Sequence, residues 1–225
     1  MNPIFPIIAI GVAWLFSAQL AKQWWDRRRA HALAWAGALF LFGLGHVCVL
    51  IGITAGWTPP VFGTYWLSGA LLNVPLLAIG QLHLLDDRRS VIWWTLAGLA
   101  VVWNTAFTIG AEYDTAVLAA STTVPSGESV IGGSIAYGLL RPMTYTFAIV
   151  VIGSAWSAWT YKKWSLLLIA LGTTVAAAGS SVIGSTVDYL FPILSASGVL
   201  LMYAGFRAVS VPKSAPATDV VPTNA

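Results

Sequence analysis

Seven polar or ionisable residues stand inside long apolar stretches of this sequence: His46, Asn73, Gln81, His83, Asn104, Arg141 and Asp188. In hydrocarbon such groups are costly, pair with one another or line wet space, and raise a functional hypothesis by default. Arg141 has the most specific chemistry. Its planar guanidinium presents a fork of donors that matches a carboxylate or phosphate. Pro142 follows it, near the start of an apolar run where proline is tolerated, which would leave Arg141 by the positive end of a helix. Two roles are open for Arg141. One is an anion or carboxylate site. The other is structural, either an ion pair with Asp188, Glu112 or Asp114 or snorkelling to the surface. His46 is either a hydrogen-bonded buried histidine or a proton-coupling or ligand group. Asn104 and Asn73 can donate and accept at intermediate depth.

The elements that position these residues follow from composition. The 225 residues are 58% hydrophobic and only 8% charged, far below the charged share of soluble domains, roughly 25%. A span needs about 20 apolar residues. Seven such runs are expected at about 3–23, 31–54, 62–85, 90–110, 135–159, 164–185 and 188–208, numbered here helix 1 to helix 7. The fold class is therefore all-α: a polytopic, seven-helix integral membrane domain over residues 1–208, with a disordered cytoplasmic tail at 209–225. Nothing basic precedes the first run while Lys22 and Arg27–Arg29 follow it, so it reads as a retained helix and not a signal peptide.

Charge sets the expected orientation. Lys22, Arg27, Arg28 and Arg29, then Arg88 and Arg89, then Lys162 and Lys163, then Arg207 and Lys213 all fall on one side of a seven-helix arrangement. The opposite loops carry no lysine or arginine, and the eleventh basic residue is Arg141 itself. Short basic loops stay cytoplasmic, so the N-terminus is expected outside and the C-terminus inside, in the cell membrane. Trp24, Trp25, Trp35, Trp93, Trp94, Trp159, Tyr161 and Trp164 then band at the inner interface, and Trp57, Tyr65, Trp66, Tyr113 and Tyr189 at the outer one. By helix rise, His46 lies about 23 Å from the inner end of helix 2, Asn104 about 21 Å up helix 4, and Arg141 about 9 Å below the outer end of helix 5, hence about 21 Å up a core of roughly 30 Å. Three helices thus place polar groups in one outer layer. Asn73 lies nearer the midplane, Asp188 at the rim, and Glu112 and Asp114 in the long loop above.

Packing signals are concentrated on helix 6. Gly172, Ala176, Ser180 and Gly184 recur every four residues, a small-residue face that invites close helix contact, with hydroxyls bonding across helices. Gly69, Asn73 and Gly80 form a similar face on helix 3, which Pro75 is expected to kink. Leu44-Gly45 with Gly52 has an echo in Leu171-Gly172 with Gly179, a faint repeat of helices 2–3 in helices 6–7. The 111–134 loop is too long for a plain connection and reads as a lid or a tether, with a short turn at 116–120.

Several classes drop out. Basic residues clustered between apolar runs are topology charge and not a nucleic-acid face. The single Cys48 rules out an internal disulfide framework. No phosphate loop, nucleophile elbow or zinc-binding histidine motif occurs, so no catalytic residue, metal or cofactor is expected and the chain is not read as an enzyme. His46 stands about 20 Å from His31 and His83 along the bundle, too far for a shared haem. The seven-helix arrangement resembles SWEET-type sugar transporters and, in topology alone, microbial rhodopsins. No motif of either is matched residue by residue, and the Schiff-base lysine that rhodopsins place in helix 7 has no counterpart.

Two functions remain. One is a small-solute transporter or permease whose outer polar site, Arg141 with His46, Asn104 and Asn73, takes a small anionic or carboxylate solute. The other is a non-enzymatic sensor, scaffold or accessory protein whose polar layer is structural. Beyond the lipid bilayer the sequence points to no protein partner. The topology has a direct test. Single cysteines in the Arg27–Arg29 and Lys162–Lys163 loops are expected to resist an impermeant thiol reagent added outside intact cells, and one beside Glu128 to react. The reverse labelling would invert the orientation.

Overall fold

The computed structural model describes residues 2–162, 164–185 and 187–210. Among these, seven helices are long and apolar enough to cross a membrane, as expected of a multi-pass membrane protein in contact with lipid. Helix 1 spans Ile4–Arg27 and helix 2 Ala30–Ala55. Helix 3 runs Pro59–Leu85, helix 4 Ser90–Ile109 after a 3-10 turn at Asp87–Arg89, and helix 5 Ile135–Tyr161. Helix 6 is Leu167–Ser181, preceded by a 3-10 turn at Trp164–Leu166. Helix 7 is Phe191–Ser210, preceded by a 3-10 turn at Asp188–Leu190. It therefore runs two residues into the segment expected to begin the tail, and the rest of that tail lies outside the described residues.

The helices pack as a ring in the order 1, 2, 3, 5, 6, 7 and back to 1, with helix 4 set against the outside of helices 3 and 5. That outer place suits its sequence. Leu99, Val102 and Ile109 are among its exposed residues, an apolar surface that only lipid can cover. Helices 1 and 5 end in left-handed residues, Arg28 and Lys162. Their cations lie over Trp24, Trp25 and Trp159, at 4.9, 5.1 and 4.8 Å from the ring centres, an arrangement suited to an interface where one end of the side chain is apolar and the other wet. Lys22–Asp26, Arg89–Asp86 and His83–Asp87 form ion pairs or hydrogen bonds at this same basic end.

The tryptophan band is only partly an interface belt. Trp25, Trp159, Tyr161, Trp164 and Tyr189 are exposed, whereas Trp35, Trp57, Tyr65 and Trp66 are buried. Glycines explain the difference. A Cβ on Gly80 would collide with the Trp35 indole, one on Gly52 with Trp57, and one on Gly127 would crowd Trp66. Each missing side chain leaves a slot that an indole fills. Trp35 also donates to the Leu77 carbonyl at 3.0 Å, tying helix 2 to helix 3.

Small residues set the closest helix contacts. Gly45 on helix 2 meets the backbone of Gly69 on helix 3, and Gly172 on helix 6 meets the Gly198 carbonyl on helix 7. The face expected on helix 6 divides here. Gly172 is buried against helix 7, and Ala176 stands against Gly198. Ser180 is exposed, and Gly184 lies beyond the helix end with a φ of +77°. Hydroxyls do not link helix 6 to its neighbours. Thr173, Thr174, Ser180 and Ser181 each donate to a carbonyl of their own helix, a satisfied local bond that leaves the face free for another use.

The basic half of the bundle is solid. Phe16, Trp35, Leu39, Leu77, Val150, Ile169 and Met202 converge from six helices and leave a void of only about 10 Å³. Ser17 donates to the Ala36 carbonyl, Gln19 to the Tyr203 hydroxyl, and Ser154 to Gln81 Oε1, and these bonds tie the same region. Because Gly172 has no free space while Ser180 has, the two positions should respond differently to enlargement. Gly172→Leu is expected to destabilise the fold by about 1–3 kcal/mol through overpacking, and Ser180→Leu to stay near wild type, in thermal unfolding in detergent. Equal losses would place both residues in one helix contact.

Candidate functional site

The other half of the bundle is hollow. Helices 2, 3, 5, 6 and 7 enclose a cavity of about 700 Å³, within the usual range for small-molecule sites, about 300–1,000 Å³. His46 from helix 2, Asn73 from helix 3 and Arg141 from helix 5 all line it. Thr173, Thr174, Ser180 and Ser181 of helix 6 and Ser195 of helix 7 add hydroxyls, and Phe42, Tyr65, Trp66, Tyr137, Tyr145 and Phe191 add aromatic wall. Leu39, Leu77 and Met202 form its floor, shared with the apolar plug beneath.

Two of the walls are irregular. Helix 3 changes from α to π over Leu67–Leu72 before resuming at Asn73. Helix 5 is α over Ile135–Leu140, 3-10 over Arg141–Thr146, and α again from Phe147. The two segments touch each other and both border the cavity. Non-α backbone at membrane depth is tolerated where it is buried in protein or lines wet space, and it often marks function. Pro142 accounts for the break in helix 5, since it can neither donate nor accommodate an ideal α turn. Arg141 stands in the second turn after the Ile135 start, close to the N-terminal end as expected, and it opens the 3-10 segment.

Pro75 acts differently from a simple kink. It has no N–H for the Leu71 carbonyl four residues back. That carbonyl accepts instead from Asn104 Nδ2 at 3.2 Å, and the same amide nitrogen donates to the Ala100 carbonyl at 2.7 Å. Asn104 is fully buried and does not line the cavity. Its position therefore serves the backbone of helix 3 and not the site with which the sequence grouped it.

His46 is buried with both nitrogens engaged. The Phe42 carbonyl, 2.9 Å from Nδ1, can only accept, so Nδ1 carries the proton. Nε2 then accepts from the Ser195 hydroxyl at 2.9 Å, a bond that closes helix 2 onto helix 7 across the cavity wall. Asn73 is 4% exposed, and its Nδ2 donates to the Gly69 carbonyl at 3.0 Å. Its Oδ1 has no hydrogen-bond partner among the described residues. Such an orphaned buried acceptor calls for an explanation.

Arg141 is exposed, its guanidinium 5.8 Å from the Tyr137 ring centre. No carboxylate stands within ion-pair distance of it among the described residues. Asp114 caps the short helix Thr115–Ala120, accepting from the N–H groups of Ala116 and Val117. Glu112 is exposed on the loop. Asp188 opens the 3-10 turn before helix 7, and its side chain lies outside the described residues. The acid that does border the cavity is Glu128.

The 111–134 loop is an ordered roof. It carries the short helices Thr115–Ala120 and Gly127–Ile131, and it buries Leu118, Val124, Val130 and Ile131. Gly127 lies against Trp66 of helix 3, and Ser126 lies against Gly184 beyond helix 6, so residues 125–128 bridge the top of the cavity. Sequence reasoning missed Glu128, Ser195 and the cavity-facing tyrosines. Tyr137, Arg141 and Tyr145 recur every four residues, and that spacing was the available signal.

No family model, no curated protein and no solved structure matches the chain. The geometry of the site has to carry the functional argument alone. For Asn104, Asn104→Leu is expected to cost about 1–3 kcal/mol by leaving a buried carbonyl without its partner. In a Pro75→Ala background the cost should shrink, because residue 75 then has its own N–H for Leu71. Additive losses in that double-mutant cycle would remove the proposed exchange of partners.

Proposed function

We propose that this chain is a permease that takes a small anionic or carboxylate solute into the cavity beneath the 111–134 loop. The observation that carries this reading is the cavity itself: one space of about 700 Å³, between two helices with broken α geometry, reached by Arg141, Asn73 and His46. Lysine and arginine bias supports the loop side as the outer one, which makes the cavity outward-open. Arg141 holds the anion with its donor fork. Asn73 Oδ1 accepts from a hydroxyl or N–H of the solute, and the aromatic wall covers its apolar part. His46 with Ser195 keeps helices 2 and 7 together while the site is empty. No catalytic role is assigned to any of these groups.

Discontinuous helices that meet at the binding level are a recurring transporter design, in which one set of helices rocks against another around a fixed site. Here helices 3 and 5 provide the discontinuities. The plug of Leu39, Leu77, Val150 and Met202 is the closed inner gate that rocking has to part. That solid plug also favours a second reading, a membrane sensor that holds its ligand without releasing it to the other side.

The test is a thermal-shift screen of purified protein over anionic solutes. Wild type is expected to be stabilised by at least one carboxylate or phosphate compound. Arg141→Met should unfold near the wild-type temperature without ligand and lose that shift, since among the described residues Arg141 makes no ion pair whose loss would weaken the fold. Arg141→Lys should recover part of it, because a point charge remains but the bidentate fork does not. Absence of any Arg141-dependent shift across the screen removes the site. Proteoliposome uptake of the stabilising solute then separates permease from sensor.

A further inference from the structure

We infer that the ligand of this cavity is membrane-borne: an anionic lipid whose headgroup enters the cavity while its acyl chains stay in the bilayer. The inference rests on the solute-site reading above and names its substrate class. Its first support is where the cavity opens. Close packing of helix 5 on helix 6 lies in the Phe147–Tyr161 half of helix 5. Along the other half, Arg141 and Tyr145 on helix 5 face Thr174, Ala178 and Ser181 on helix 6 across the cavity. All five line it and all five are exposed. These residues edge a lateral slot in the helix ring. Directly above, the roof is in contact at both ends, Gly127 on Trp66 and Ser126 on Gly184.

The second support is chemical. Lipid-facing positions elsewhere on the bundle carry large apolar groups, such as Ile152 and Trp156. The helix-6 edge of the slot is instead small and hydroxylated, and it leaves room for a chain to pass without a bulky side chain in the way.

The third support is depth. The 27-residue helix 5 is about 40 Å long against a hydrocarbon core of about 30 Å, so it overhangs by about 5 Å at each end. Arg141 lies about 9 Å below the Ile135 end, about 4 Å inside the boundary. That is the level at which the phosphate of an anionic lipid meets its acyl chains, at the edge of a slot and with no carboxylate partner among the described residues. Deeper in, the unpartnered Oδ1 of the buried Asn73 accepts from a headgroup hydroxyl. The Glu128 carboxylate at the roof restricts the head to a single negative charge.

Phosphatidylglycerol has this chemistry, and its deacylated head, glycerophosphoglycerol, is a water-soluble control with the same polar groups. The protein is reconstituted in phosphatidylcholine nanodiscs, with phosphatidylglycerol added to the bilayer or glycerophosphoglycerol to the solution, and its unfolding temperature is measured. Phosphatidylglycerol should raise the unfolding temperature of wild type. Arg141→Met should lose most of that rise, and so should Ala178→Trp, which fills the slot from an exposed position. Thr174→Trp repeats the block from the same edge should Ala178→Trp not fold. Glycerophosphoglycerol should have no effect. A soluble anion that gives the Arg141-dependent rise, undiminished by either tryptophan, overturns the lateral route and leaves the permease reading in place. If neither lipid nor any soluble anion gives an Arg141-dependent rise, both fall together.

Discussion

In hydrocarbon, every backbone N–H and carbonyl has to find its partner inside the protein, and the architecture turns on the two helices that depart from α geometry under this constraint. Helices 1, 2 and 4 meet it with unbroken α hydrogen bonding over their long spans. Helices 3 and 5 carry prolines within the span, and each meets the constraint in its own way. At Pro75 the missing donor is replaced from outside, by the buried Asn104 amide on helix 4. At Pro142 the backbone changes pitch, and Thr144 and Thr146 return their hydroxyls to the carbonyls of Arg141 and Met143 within the 3-10 segment. Helix 4 makes few other polar contacts, so its position on the outside of the ring is set largely by the service it performs for helix 3.

The two halves of the bundle follow from where glycine and aromatic residues fall. Toward the basic end, Gly80 admits the Trp35 ring and Phe16 packs at a tilt against Tyr203 and Phe206. Space there is filled by rings from three helices. Toward the loop end, Gly45 and Gly69 bring helices 2 and 3 together, and Gly172 and Gly198 bring helices 6 and 7 together. These two tight pairs are joined directly by the His46–Ser195 bond. Close packing within each pair, combined with the altered pitch of helix 5, leaves the space between the pairs unfilled. The cavity is therefore a product of the same small residues that tighten the bundle.

Much of the fold was legible in the sequence, because span length and apolar character are local properties. The seven runs needed no tertiary information. The site was legible only in part. Arg141 and His46 could be grouped by depth, and the structure brings them to one cavity together with Asn73 from nearer the midplane. Asn104 shares their depth but turns toward the backbone of helix 3, and depth carries no information about azimuth. Trp35, Trp57 and Trp66 read as interface residues because the pairing of an indole with a glycine on a different element is a non-local fact. The hydroxyls of helix 6 read as glue between helices. They satisfy themselves within one turn, and nothing in a single helix's sequence reveals whether such a face meets protein or empty space.

Arg141 has no carboxylate within ion-pair distance among the described residues. A structural arginine within a span is expected to have been given a fixed anion, and four acids are near enough in sequence or layer to have served, of which Asp188 has its side chain outside the described residues. Asp114 is committed to capping a helix and Glu112 faces outward from the loop. Glu128 borders the same space and stands beyond ion-pair distance of the guanidinium. The cation faces the Tyr137 ring instead, a contact that tolerates an anion on its open side. Opposite it, Asn73 spends its donor on Gly69 and keeps its acceptor free. Among the described residues, a guanidinium with no carboxylate partner and an amide oxygen with no donor thus belong to one cavity lining. The lining is least closed beside Arg141, where the close packing of helix 5 on helix 6 is confined to the Phe147–Tyr161 half of helix 5.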